Sequence, residues 1–170
     1  RGLIVPLRVA GTNEPNNFRT SSNTPWNSKR CVFPDEALPI GVGGVTIETS
    51  NAAANLELYM NDLWLDYSFN ALTLFYEKDE RSFDFSVRDL DGNELARLTA
   101  WEQDSSLNFS RVVWEKNVNA IDIQSVRTNP DQSRAMIYGA VLENSNSGIL
   151  YHAIGVNGAK FWHYNRARHF

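Results

Sequence analysis

The stretch Ser82-Phe-Asp-Phe-Ser-Val-Arg-Asp-Leu-Asp-Gly-Asn-Glu-Leu-Ala-Arg-Leu-Thr-Ala100 decides the fold class. Phe83, Phe85 and Val87 alternate with Asp84, Ser86 and Arg88, the two-residue period of a strand that buries one face. Asp91-Gly92 follows, a dipeptide that tolerates the positive φ of a tight turn, and residues 94 to 101 read as the returning strand. A hairpin of this kind needs a second apolar layer to cover its buried face, so the flanking sequence should supply more strands.

It does so on both sides. Upstream, Val45 and Ile47 mark a strand over Gly44–Thr49, Leu56 and Leu58 one over Asn55–Met60, and Leu72 and Leu74 one over Asn70–Glu77. Downstream lie Phe109–Glu115, Ala120–Arg127 with Ile121 and Ile123, and Ala135–Glu143 with Ile137 and Val141. Short alternating segments separated by polar or glycine-containing turns, with no sustained helical period, predict an all-β antiparallel sandwich or jelly roll. A closed barrel satisfies the same pattern.

The two ends of the chain differ from this middle. Gly, Pro, Asn, Ser and Thr dominate between Ala10 and Asn27, and Pro34 and Pro39 bracket a second irregular stretch, so residues 1–40 read as a loop-rich opening. Short extended pieces are expected there at Leu3–Val9, Phe18–Ser22 and Lys29–Phe33. The sandwich then occupies 41–147. In 148–170 a compact apolar run, Ile149 to Ile154, leads into Gly155-Val-Asn-Gly-Ala159 and a stretch, Ala159–Phe170, that reads as helical. Strand, glycine loop and helix in that order belong to an α/β unit and not to an antiparallel sandwich.

Composition narrows the function. The 170 residues carry 16 basic and 20 acidic side chains, a net charge of −4, with no clustered basic surface, which argues against a nucleic-acid partner. The most basic stretch, around Arg166 and Arg168, reads as a solvated helix face. Cys31 is the single cysteine, so no intrachain disulfide forms, and no Cys/His spacing fits a zinc site. Neither a metal nor a cofactor is expected. No apolar run has the length of a membrane span, about 18 residues.

The histidines His152, His163 and His169 all lie near the C-terminal end, with no G-x-S-x-G elbow to partner them. His152 reads as a strand residue bonded to a neighbour, and His163 and His169, six apart, fall off a shared helix face. Asp35/Glu36 and Asp79/Glu80 read as solvated loop carboxylates. Gly41-Val-Gly-Gly44 precedes a strand and lacks a following Lys-Ser/Thr, so close backbone approach or a bulge explains it better than a phosphate loop. Among the tryptophans Trp26, Trp64, Trp101, Trp114 and Trp162, most are expected in the core. Trp26, in a polar loop, and Trp64, beside Tyr67, are the candidates for stacking on a sugar ring.

The segment Gly148-Ile-Leu-Tyr-His-Ala-Ile-Gly-Val-Asn-Gly-Ala159 resembles the second conserved block of SGNH/GDSL hydrolases, where a strand ends in a Gly-x-Asn/Ser-Gly loop and a helix follows. The opening Arg1-Gly-Leu-Ile-Val-Pro-Leu-Arg-Val-Ala-Gly-Thr-Asn-Glu-Pro15 resembles the stretch after the nucleophile block in bacterial SGNH esterases that carry an inserted, carbohydrate-binding-like sandwich, the peptidoglycan O-acetylesterases among them. The resemblance implies that residues 148–170 belong to an SGNH α/β domain, and that the N–H of Gly158 serves as an oxyanion donor. It also implies an acylated, above all O-acetylated, carbohydrate as substrate and a periplasmic or cell-surface location. The Gly-Asp-Ser nucleophile block, the Gly-x-Asn-Asp/Glu block and the Asp-x-x-His block are not in this sequence, so the nucleophile, the side-chain oxyanion donor and the base would lie in the remainder of the catalytic domain. The chain would then be an accessory segment that positions substrate. The competing reading is a freestanding, non-catalytic carbohydrate-binding module using Trp26, Trp64 and Tyr67; a third is a structural domain whose aromatics are all core.

Overall fold

The computed structural model describes residues 2–12, 16–33, 39–61, 67–101, 107–147, 152 and 155–169. Thirteen strands and one short helix follow in chain order: β1 Gly2–Ile4, β2 Phe18–Ser21, β3 Asn27–Arg30, β4 Ile40–Gly41, β5 Val45–Thr49, β6 Asn55–Met60, β7 Phe69–Tyr76, β8 Asp84–Arg88, β9 Glu94–Leu98, β10 Phe109–Val118, β11 Ala120–Val126, β12 Ala135–Glu143, the 3₁₀ helix Phe161–Arg166 and β13 Ala167–His169.

Two antiparallel sheets form the sandwich. One runs in the order β10-β7-β12-β5-β3, with β1 also paired to β12; the other runs β2-β6-β11-β8-β9. β12 is the organising strand of the first sheet. Residues 137–143 pair with β7 along one edge, while Ala135 to Ile137 pair with β5 and Ala140 to Leu142 with β1. Alternation is clean in β6, where Leu56, Leu58 and Met60 point inward between the half-exposed Asn55, Glu57 and Tyr59. It is equally clear in β11, where Ile121, Ile123 and Ser125 are buried. Burying one face per strand stabilises by roughly 25 cal/mol for each Å² of apolar surface removed from water.

The two inner faces meet at fully buried rings. Tyr76 of β7 and Phe85 of β8 pack edge to face at 5.4 Å, and the Tyr76 hydroxyl donates to the carbonyl of Thr99 at 3.0 Å, satisfying the one polar atom that this ring takes inside. A second polar tie is Asp84, which is buried at the start of β8. Its Oδ1 accepts from the Ala100 N–H at 2.9 Å and from Gln132 Nε2 at 3.3 Å, and its Oδ2 accepts from the Thr128 hydroxyl at 2.6 Å.

The hairpin over 82–100 forms as expected, with the Gly92 N–H bonded to the Asp89 carbonyl at 3.1 Å in the turn. The Gly41–Gly44 stretch also behaves as read. A side chain on Gly41 would meet the backbone of Tyr138 at 2.5–2.7 Å, beside the register shift between Ile137 and Gly139. The C-terminal stretch differs from the sequence reading: the helix is a six-residue 3₁₀ turn, and residues 167–169 return to extended backbone and pair in parallel with β4. No buried residue anchors a longer amphipathic face on that helix. Most of the run Ile149 to Ile154 lies outside the described residues.

Candidate functional site

The glycine loop near the C-terminus is held by the opening segment. Thr12 and Val156 form an antiparallel bridge, and the Asn157 N–H donates to the Gly11 carbonyl at 2.8 Å. His152 is tied to the same segment, its Nδ1 accepting from the Leu3 N–H at 2.8 Å, so its role is that of a bonded strand neighbour. Val156 is buried, and the Ala159 N–H closes a four-residue turn on the Val156 carbonyl at 2.9 Å. Gly158 occupies the third position with φ +78°, the type II pattern that favours glycine. Its surroundings are open: a Cβ there would meet nothing within 4 Å, and among the described residues its N–H has no partner. An exposed amide N–H on a fixed turn is a group that can receive a developing oxyanion.

The same loop is clamped from behind. Gly44, at φ +74°, leaves room for Tyr164, Cys31 and Val156, whose nearest atoms would stand 2.9, 3.0 and 3.2 Å from a Cβ at that position. Arg166 donates to the carbonyls of Cys31 and Phe33. The basic stretch at 166 is thus partly structural and not a solvated helix face. Cys31 itself is fully buried.

The sugar-stacking candidates divide. Trp26 is only 9% exposed, and its Nε1–H is taken by Ser22 Oγ at 3.1 Å; Ser22 in turn donates to the Asn55 carbonyl at 2.6 Å. Asn23 and Asn55 lock the same loop by reciprocal bonds, Asn23 N–H to Asn55 Oδ1 at 2.8 Å and Asn55 N–H to Asn23 Oδ1 at 3.0 Å. The indole is therefore mainly core, and Trp26 is one of the residues that line an open groove of about 440 Å³ between Leu7–Arg8 and Ser22–Trp26. That volume lies within the rough 300–1,000 Å³ of small-ligand sites. A smaller recess of about 240 Å³, lined by Arg8, Phe18, Arg19 and Thr20, adjoins it at Arg8. Tyr67 is half-buried against the core, and Trp64 lies outside the described residues. The structure does not bring Gly158 into the lining of the Trp26 groove.

The outer face of the five-stranded sheet next to these recesses is polar. Ser21 Oγ and the Tyr59 hydroxyl both donate to Glu57 Oε2, at 2.6 and 2.8 Å. Those bonds, Ser21 first and Tyr59 second, hold the Glu57 carboxyl below the usual range, and the bond to Glu57 pushes the Tyr59 phenol up. Asp122 stands directly across from Glu57 on β11, and burial raises its carboxyl, with the Glu57 charge adding to the effect.

Sequence reasoning passed over the most exposed aromatics. Phe161 and Trp162 on the 3₁₀ helix are 88% and 59% exposed, and Trp101 is 48% exposed. The signal was present at Trp162, whose positions three and four residues on are Asn165 and Arg166, but the expected helix made both rings look like core. His163 caps its own helix, its Nδ1 accepting from the Lys160 N–H at 2.9 Å. Asp79, expected to be solvated, accepts from Ser82 and pairs with Arg134 at 3.1 Å; Asp35 and Glu36 lie outside the described residues. Among the described residues no three His, Cys, Asp or Glu side chains gather to hold a metal ion, and no helix is long and apolar enough to cross a membrane.

Comparison with solved structures places this architecture. Across 97% of the chain it superposes on a peptidoglycan O-acetylesterase with a TM-score of 0.66 and 17% identity, covering 40% of that chain. The present chain therefore spans less than half of that enzyme's length. A family 32 carbohydrate-binding module from C. perfringens NanJ, in complex with galactose, aligns over 75% of this chain and 94% of its own, with a TM-score of 0.47 and 12% identity. A second family 32 module from Clostridium perfringens, in complex with GalNAc-β-1,3-galactose, aligns over 75% and 95% at 0.49 and 10%. At these identities the likeness to the esterase is one of fold. No family profile and no curated protein matches the sequence.

Proposed function

We propose that this chain is the accessory β-sandwich of an SGNH-type ester hydrolase acting on O-acetylated carbohydrate, in which residues 148–170 belong to the catalytic domain and Gly158 supplies one oxyanion donor. The observation that carries this reading is the Gly158 turn: an exposed glycine at φ +78°, held by the pairing of Thr12 with Val156 and of Asn157 with Gly11. That pairing sets the opening segment beside the glycine loop, the arrangement expected when a sandwich interrupts a host domain between those two stretches. The fold shared with a peptidoglycan O-acetylesterase over 97% of the chain supports it.

In this mechanism the chain does not attack the ester. The nucleophile, the side-chain oxyanion donor and the base come from the remainder of the SGNH domain. As the carbonyl becomes tetrahedral, its oxygen gains negative charge, and the Gly158 N–H stabilises that charge in place of water. The sandwich orients the glycan through the groove beside Trp26 and Arg8. A carbohydrate substrate of this kind places the protein in the periplasm or at the cell surface. The same groove is what favours the second reading, a carbohydrate-binding module with no part in catalysis.

The test uses the purified 170-residue chain with O-acetylated glycan and with p-nitrophenyl acetate. We expect binding of the glycan and no acetate or nitrophenol release above buffer. Turnover that disappears in Gly158→Pro, which loses the N–H and cannot adopt the positive φ, would mean that a complete catalytic site lies within these residues. Failure to bind the glycan at all would overturn the accessory role.

A further inference from the structure

The 3₁₀ helix after the Gly158 turn is fixed on one side and bare on the other. Tyr164 packs toward Gly44, Arg166 bonds to the Cys31 and Phe33 carbonyls, and Ala167–His169 pair with β4. Beyond these ties Phe161 and Trp162, successive residues of the helix, are 88% and 59% exposed. A large exposed ring on backbone that is tied down is a preorganised contact.

The chemistry beside the rings is cationic. Lys160 Nζ lies over one face of the Trp162 ring, 4.9 Å from its centre, and the His163 ring meets Trp162 edge-on at 5.7 Å. Residues 155–170 carry Lys160, Arg166 and Arg168 and no carboxylate, in a chain whose net charge is −4. An exposed indole with an ammonium over one face suits, on the rest of its surface, a ring with apolar C–H groups on one face and a carboxylate at its rim. It stands four residues from the proposed oxyanion donor.

We propose that Trp162 and Lys160 form a subsite for one sugar ring of a carboxylate-bearing glycan, the indole stacking on the ring and the ammonium pairing with its carboxylate. The proposal deepens the esterase reading and rests on it for the ligand class. It moves the stacking role from Trp26, whose indole is buried, to a tryptophan that presents most of its surface.

The test is the intrinsic fluorescence of the 170-residue chain titrated with peptide-free peptidoglycan glycan strands, whose lactyl groups carry carboxylates. Chitooligosaccharide of matched length is the neutral counterpart, and an oligothymidylate is the anionic, base-stacking one. Wild type is expected to prefer the glycan strands. Trp162→Ala should weaken their binding about tenfold, of the order one aromatic stack contributes. Trp162→Phe should retain most of the affinity, and Trp101→Ala should leave it unchanged. Lys160→Gln should remove the preference for the charged strands over the neutral oligosaccharide and flatten the salt dependence. Equal binding by wild type and Trp162→Ala, no binding of the strands, a preference for the oligothymidylate, or self-association that Trp162→Ala abolishes would each overturn the subsite. The accessory reading fails separately, if the chain itself hydrolyses p-nitrophenyl acetate, a substrate with no sugar ring for Trp162 to hold.

Discussion

Replacing Asp84 tests the polar tie inside the sandwich. The carboxylate is 6% exposed and joins three parts of the chain: the start of β8, the Ala100 N–H beyond β9, and the 128–132 loop through Thr128 and Gln132. Asp84→Ala leaves two donors buried without a partner, the Ala100 N–H and the Gln132 amide, each worth about 1–3 kcal/mol when unpaired. Removing a desolvated charge gives part of that back. The net cost is then about 3 kcal/mol, a large share of the roughly 5–15 kcal/mol of a typical domain. Asp84→Asn keeps the acceptor for Ala100, and the Thr128 hydroxyl can turn toward Gln132 Oε1, 3.2 Å away, so its cost is expected near 1 kcal/mol. Urea unfolding followed by tryptophan fluorescence reads both. With a slope of about 2 kcal/mol/M, Asp84→Ala should lower the midpoint by about 1.5 M at unchanged slope. A loss under about 0.5 M, or equal losses for Ala and Asn, would show that the network does not act as described.

Gly44→Ala should loosen the C-terminal unit while sparing the sandwich. The new Cβ would meet Tyr164, Cys31 and Val156 at 2.9–3.2 Å in a left-handed backbone, adding about 1–2 kcal/mol of strain. Amide exchange over 161–169 should rise, and unchanged exchange there would contradict the clamp. Asp122→Asn should stabilise the protein at neutral pH, since burial raises this carboxyl and Glu57 stands across from it. The folded state holds the Asp122 proton more tightly than the unfolded chain. Its favourable contribution is therefore present below the ordinary aspartate range and lost as pH rises through the elevated value. The advantage of the Asp122→Asn variant should accordingly shrink on acidification, and thermal melts at neutral and acid pH that show a constant difference would refute the linkage.

The middle of the chain was readable because side-chain period and turn chemistry agree there. Val45 to Thr49, Asn55 to Met60 and Ala135 to Glu143 fall where alternation put them, and Gly41 marks a close approach, as read from its place before a strand. The C-terminal region was read differently because Phe161, Trp162 and Tyr164 look like a helical apolar face. What stops a helix is a pairing that local sequence does not announce: β4 has two residues, and β13 finds it across most of the chain. The turn was legible at Gly158, whose positive φ favours glycine, and His152 bonds to a neighbour as read. Exposure was misjudged at Trp26, because a polar loop suggested an open ring while Ser22, four residues earlier, captures the indole N–H and the residue is buried.

The strand order carries a consequence for how the chain comes to be folded. Among the described pairings only β8 and β9 are neighbours in sequence. Every other ladder waits for a more distant partner, and high contact order of this kind slows folding to milliseconds or seconds. β12 sets the timing, since β1, β5 and β7 all hydrogen-bond to it. On a ribosome those three strands emerge before residue 135, and each must keep an apolar edge open until β12 arrives. A nascent or truncated chain that stops short of β12 is thus the form most exposed to aggregation and most in need of a chaperone.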